Sequence, residues 1–248
     1  MDLTTVKVIG RILNYHGVSM CLVGEFALNY YNVPRVCHDL EICVPKSSSS
    51  TASDLLCSTG LFETCDLDQQ SFNNFTEHKR GFPRIQTTGW TLPQQAIVIY
   101  PDSFHGLNPL KETLLQLVCD SDHRFHISKE LAHLNRQDIA GLPLPRLAPF
   151  LKGLAHRYLA SRDDMALIAV EQLVDGMNLD QDWVTRNFAP SDAAVIDLVM
   201  KQVDSKQSRI DYVSENLITC FVTSMIQGRL NDAAIVLHRV LDKQQIAS

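Results

Sequence analysis

The chain has 248 residues, of which 45% are hydrophobic and 20% charged, enough apolar material for one large domain or two small ones. A formal net charge of -6 argues against a nucleic-acid partner for the chain taken as a whole. No apolar stretch reaches the roughly 18 residues of a membrane helix, and the amphipathic N-terminus does not read as a signal peptide, so the expectation is a soluble, cytoplasmic protein.

In chain order, Leu3 to His16 reads as a helix with Val6, Ile9 and Leu13 on one stripe, followed by a short strand from Ser19 to Val23. Gly24 opens a second helix, containing Phe26, Ala27, Leu28 and Tyr30, that ends near Asn32 and Pro34. The next strand runs from Cys37 to Val44 and is closed by Pro45 and the serines at 47 to 50. A helix from Thr51 to Ser58, a strand from Phe62 to Asp66 and a polar loop from Asp68 to Arg80 follow. Strands at Pro83 to Thr88 and Gln95 to Tyr100 form a hairpin. Asn108 and Pro109 read as the cap and first position of a helix. The run Gly141 to Pro145 punctuates the chain, and the segment beyond Pro149 has helical periodicity. The expected division is therefore an α/β core over 1–140 and a helical part over 141–248.

Seven cysteines, an odd number with no C-x-x-C pair, read as reduced packing residues and not as a disulfide framework or a zinc site. The strand at 37–44 carries the chemistry. Alternation places Asp39 and Glu41 on one face, with Leu40 and Ile42 on the other. Two buried carboxylates on one face require a cationic partner. His38 falls on the opposite face and reads as a core or hydrogen-bonded histidine, or as a catalytic one. Arg35 is placed to pair with a carboxylate of this strand or its neighbour, or to contact a substrate. Tyr30 and Tyr31 either line the pocket or pack the helix. His123 and His126 have a spacing that zinc ligands also show.

Charge is unevenly distributed. Residues 122–162 hold seven Lys or Arg, including Arg124, Lys129, Arg136, Lys152 and Arg157, against three acids, and also four histidines. This belt reads either as a solvated face, with Arg157, Arg162, Asp163 and Asp164 on one helix surface, or as a track for phosphates.

A glycine-led helix followed by R-x-x-x-D-h-E (Arg35, Asp39, Glu41) resembles the nucleotidyltransferase-like fold, especially its antitoxin-system and fungal branches, over about 18–102. The resemblance implies a small mixed sheet with flanking helices and an all-helical C-terminal part. It also implies that the acid pair and a third acid hold two Mg²⁺ ions, with the glycine-led turn receiving a triphosphate. Two departures stand out. Glu25 follows Gly24 where a small residue belongs, and the strand A-I-V-I-Y has no acid, Asp102 coming only after Pro101. A cluster of Glu25, Asp39 and Glu41 suits a guanidinium or amine. Together with the basic belt, it is similar in its logic to the fungal arginine-containing cyclodipeptide synthases. That resemblance implies a transferase of fungal secondary metabolism acting on arginyl-tRNA and a second amino acid or aminoacyl-tRNA, with neither metal nor cofactor. Asp39 and Glu41 would then be catalytic, Gly24, Glu25, Tyr30 and Arg35 would bind substrate, and the belt would bind tRNA. A metal-dependent nucleotidyltransferase and a catalytically inactive binding protein of the same fold are the alternatives.

Overall fold

The computed structural model describes residues 3–65, 72, 76–115 and 127–209. It is a mixed α/β fold around a five-stranded sheet of order β1-β2-β5-β4-β3, formed by Cys21–Leu22, Leu40–Val44, Ala96–Pro101, Arg84–Thr87 and Phe62–Thr64 respectively. Only β2 and β5 run parallel; the other pairs are antiparallel. The strands β2 and β5 are covered on both faces: all five residues of β2 are buried, Glu41 among them, as are residues 97–100 of β5.

Helix α1 (Leu3–Tyr15) buries Val6, Ile9 and Leu13, the stripe expected from its spacing, and packs against α3 (Ser49–Cys57). Helix α2 (Gly24–Tyr30) lies against β2. The predicted strands all form, four of them shorter than expected and β5 ending one residue later, at Pro101. The difference that matters for the site is at β2, which begins at Leu40, so Cys37, His38 and Asp39 form its approach. Short helices α4 (Leu110–Thr113) and α5 (Arg136–Ala140) follow. The first has Pro109 itself at the cap position, and the Asn108 side chain does not cap it.

Helices α6 (Leu147–Ser161), α7 (Asp164–Gly176), α8 (Gln181–Asn187), α9 (Ala193–Asp204) and α10 (Lys206–Arg209) complete the described chain. Asp163 caps α7 by accepting from the backbone N–H groups of Met165 and Ala166. One apolar core joins both sides of residue 140, from Ile9, Phe26 and Ile42 to Phe150, Leu173 and Val199. The segment after Gly141 is part of this body. Leu144 is buried, the Leu22 N–H donates to the Pro143 carbonyl at 2.8 Å, and the Tyr31 hydroxyl donates to the Pro145 carbonyl at 2.5 Å. Among the described residues no helix is long and apolar enough to cross a membrane.

Candidate functional site

The sheet register builds the floor of the site. Glu41 on β2 and Arg84 on β4 both stand opposite Val98 of β5, so they share one face and flank it. Asp39, two residues before Glu41, projects to the same side. The expected shared face is therefore present, and the cation it requires comes from this chain. Lys79, on a 3-10 turn at Glu77–Lys79, places its Nζ 3.0 Å from Asp39 Oδ2 and 2.8 Å from Glu41 Oε1. Arg84 Nη2 reaches Asp39 Oδ1 at 2.7 Å. Asp39, Glu41 and Lys79 are 9%, 4% and 6% exposed, so each charge depends on the others. Burial pushes the Glu41 carboxyl up, with Lys79 opposing the shift. For Lys79 itself, burial pulls the ammonium down, but Glu41 and Asp39 outweigh it, and the group stays protonated.

Gly24 is tied to this floor. Its φ of 59° suits glycine, and a Cβ at this position would overlap the Glu41 carboxyl oxygen, so only glycine lets the turn approach so closely. Glu25 also lines the cavity, but its carboxylate turns to His38. It accepts from the His38 backbone N–H at 2.7 Å and lies 3.1 Å from the ring Nδ1. His38 is not in the core: its side chain is 72% exposed, because β2 starts after it.

These residues open into a cavity of about 640 Å³. Helices α6 and α7 form its opposite wall with matching stripes at i and i+4, Phe150 and Leu154 on one, Met165 and Ala169 on the other. Each stripe is continued by a polar residue. On α6 it is Arg157, paired with Asp163 at 2.8 Å and lying over the Phe104 ring at 5.0 Å. On α7 it is Gln172, whose Oε1 accepts from Arg35 Nε at 3.1 Å and Nη2 at 2.6 Å. Arg35 thus binds a carboxamide and not the acid strand, because the loop that carries it is held beside α7. Asn29 fixes that loop by accepting from the Arg35 N–H and donating to its carbonyl, at 3.0 and 2.7 Å.

Tyr30, expected as a pocket residue, is 1% exposed and packs in the core against Tyr31; burial raises its hydroxyl pKa to about 12. Asp102 is no third acid of the site. It is buried outside the cavity lining, and its Oδ1 accepts from the Lys46 N–H at 3.1 Å. The residues therefore do not fit a two-metal centre. A lysine ammonium sits between the carboxylates, and the β5 residue opposite Glu41 is Val98. Among the described residues no group of three or more His, Cys, Asp or Glu is arranged to hold a metal ion.

Among the described residues the charges of the basic belt stand in different surroundings. Arg157 faces the cavity, Lys152 pairs with Asp192 at 2.7 Å on the outer side of α6, and Lys129 is exposed on a separate 3-10 turn at Lys129–Leu131. Arg136 opens α5, whereas Arg124, His123 and His126 lie outside the described residues.

Sequence reasoning did not single out Lys79, Arg84 or His105. His105 ends the 3-10 turn Asp102–His105, lines the cavity, and is 3% exposed. Burial, with Arg157 and His78 nearby, holds its pKa well below the usual imidazole range, so it is neutral at physiological pH. A scan against protein-family models gives no match for this chain, and a search of curated proteins gives none either.

Proposed function

We propose that this chain is a metal-independent ligand-binding protein on a nucleotidyltransferase-like scaffold, with Lys79 occupying the position where such an enzyme would hold its catalytic metal. The observation that carries this reading is the Lys79 ammonium at 3.0 and 2.8 Å from Asp39 and Glu41. The mixed sheet, the glycine-led α2 and the acid pair at the start of a central strand support the scaffold. Lys79 and Arg84 together match the two buried carboxylates, which leaves a divalent ion no net charge to gain and a cation to displace. Calorimetry with Mg²⁺, alone and with ATP, is expected to show no tight binding to the unmodified chain. Tight two-site Mg²⁺ binding, or nucleotidyl transfer to any acceptor, would overturn the reading.

A second reading is a metal-free acyl transferase that takes arginine from arginyl-tRNA and closes a cyclic dipeptide. His105 on the cavity wall favours it, since a neutral imidazole can pass the proton of an amine attacking an ester carbonyl to the departing ribose oxygen, which then leaves as its hydroxyl. It requires the arginine guanidinium to replace Lys79 or Arg84 at Asp39. Incubation with arginine, a second amino acid, tRNA, the synthetases and ATP tests it. An arginine-containing cyclic dipeptide that disappears in Asp39→Asn supports the reading, and absence of product with every pairing rejects it.

A further inference from the structure

The ligand class of the cavity follows from His105, and the inference rests on the reading of this chain as a metal-independent binding protein. The ring is edge-on to Tyr100 at 5.0 Å and to Phe104 at 5.1 Å. Neither of its nitrogens has a hydrogen-bond partner among the described residues. Buried polar atoms are seldom left unpaired, because each has given up its hydration, so two on one cavity-lining side chain point to a group that enters the cavity. The backbone that carries the imidazole is held close to α6: Gly153 packs directly on the His105 carbonyl, where a Cβ would overlap it.

One helical turn beyond Gly153, Arg157 lies over the Phe104 ring at 5.0 Å, so guanidinium and imidazole approach the same aromatic ring. The Arg157 pair with Asp163 runs through Nε, one corner of a group with five N–H donors. A neutral imidazole offers a further N–H. The acidic floor does not oppose an anion, because Lys79 and Arg84 already match Asp39 and Glu41. Beside these donors the wall is apolar, formed by Phe150, Leu154 and Met165.

We propose that the cavity binds a small molecule with an apolar body and one oxyanion head, a carboxylate or a phosphate, the head hydrogen-bonded by His105 and paired with Arg157. The body lies along α6 and α7.

Benzoate and phenyl phosphate are the probes, with benzyl alcohol as the uncharged control, followed by calorimetry and by histidine side-chain NMR at fixed neutral pH. At least one anion is expected to bind saturably and shift the His105 ring signals, and benzyl alcohol is expected to do neither. The stronger of the two anions identifies the head as carboxylate or phosphate. His105→Leu and Arg157→Gln should each weaken that binding by about tenfold or more, the scale of one charge-assisted hydrogen bond. Should His105→Leu fail to fold, the NMR titration of the unmodified chain and His105→Gln carry the test. Failure of both anions to bind, equal binding of benzyl alcohol, or anion binding that leaves the His105 signals unmoved would overturn the proposal. Those failures without Mg²⁺ binding reject the ligand class alone, whereas tight Mg²⁺ binding rejects the metal-independent reading beneath it.

Discussion

Lys79 meets Asp39 at 3.0 Å on the cavity floor with side chains 5% and 10% exposed, and Lys152 meets Asp192 at 2.7 Å on the outer side of the helices with side chains 38% and 12% exposed. The two contacts have similar geometry and unequal consequences. On the floor both charges have left water and each depends on its partner; on the helix Lys152 keeps much of its water, so that pair rests less on the contact. The floor charges are therefore structural in the first instance. The belt is not uniform in this respect: Lys152 stays partly in water, whereas Arg157 is largely buried against Asp163, so clustering in sequence did not give these charges one environment.

The largest effect that could break this comparison is on the floor. Lys79→Ala leaves Asp39 and Glu41 buried beside one guanidinium, and is expected to cost about 3 to 5 kcal/mol in urea denaturation. A loss below about 1 kcal/mol would place the floor in the same wet regime as Lys152. Next comes Gly24→Ala, which meets both a left-handed backbone and the Glu41 carboxyl; about 1 to 3 kcal/mol should be lost in the same measurement. If alanine is tolerated here, the close approach of α2 to the floor is not needed for the fold.

A third, smaller effect depends on pH. The folded-state pKa of His105 is lowered, so above the unfolded value the ring is neutral in both states and contributes no slope. As pH falls below about 6.5 the unfolded chain binds a proton that the folded chain refuses, and stability drops by up to about 1.4 kcal/mol per pH unit. Between pH 7 and 5 the denaturation midpoint of the unmodified chain should therefore fall more steeply than that of His105→Leu. Parallel curves would mean that His105 protonates in place. The smallest effect belongs to the belt. Lys152→Ala is expected to cost at most about 1 kcal/mol, and less still in about 1 M salt, where exposed pairs are screened. A larger, salt-independent cost would sharpen the comparison in the other direction, making Asp192 a second buried anchor.

Much of the fold was legible. The α1 stripe, the strand runs and the proline and glycine breaks located α1 to α4 and the five strands, because they express local periodicity and backbone restriction; beyond Pro149 the sequence showed helical character without dividing it into α6 to α10. The site was half legible. Asp39 and Glu41 share a face, as an i, i+2 spacing in a strand dictates, and a buried acid pair did demand a cation. Arg84 carried a signal, a charged residue beside Ile85 in a strand that pairs into the same sheet. Lys79 carried only a weak one: it lies in the polar run ending at Arg80, and its distance from Asp39 along the chain hides their contact.

The sequence by itself determined that two carboxylates would be buried together, that a glycine would stand at the start of α2, and that a helical part would follow the sheet, since each depends on neighbours within a few positions. Only the tertiary structure decided which cation answers the acids, that Tyr30 belongs to the core, and that His105 and Arg157 meet at one aromatic ring. Charge compensation and cavity shape arise between segments brought together by sheet register and helix packing, and a list of residues in order holds neither distance.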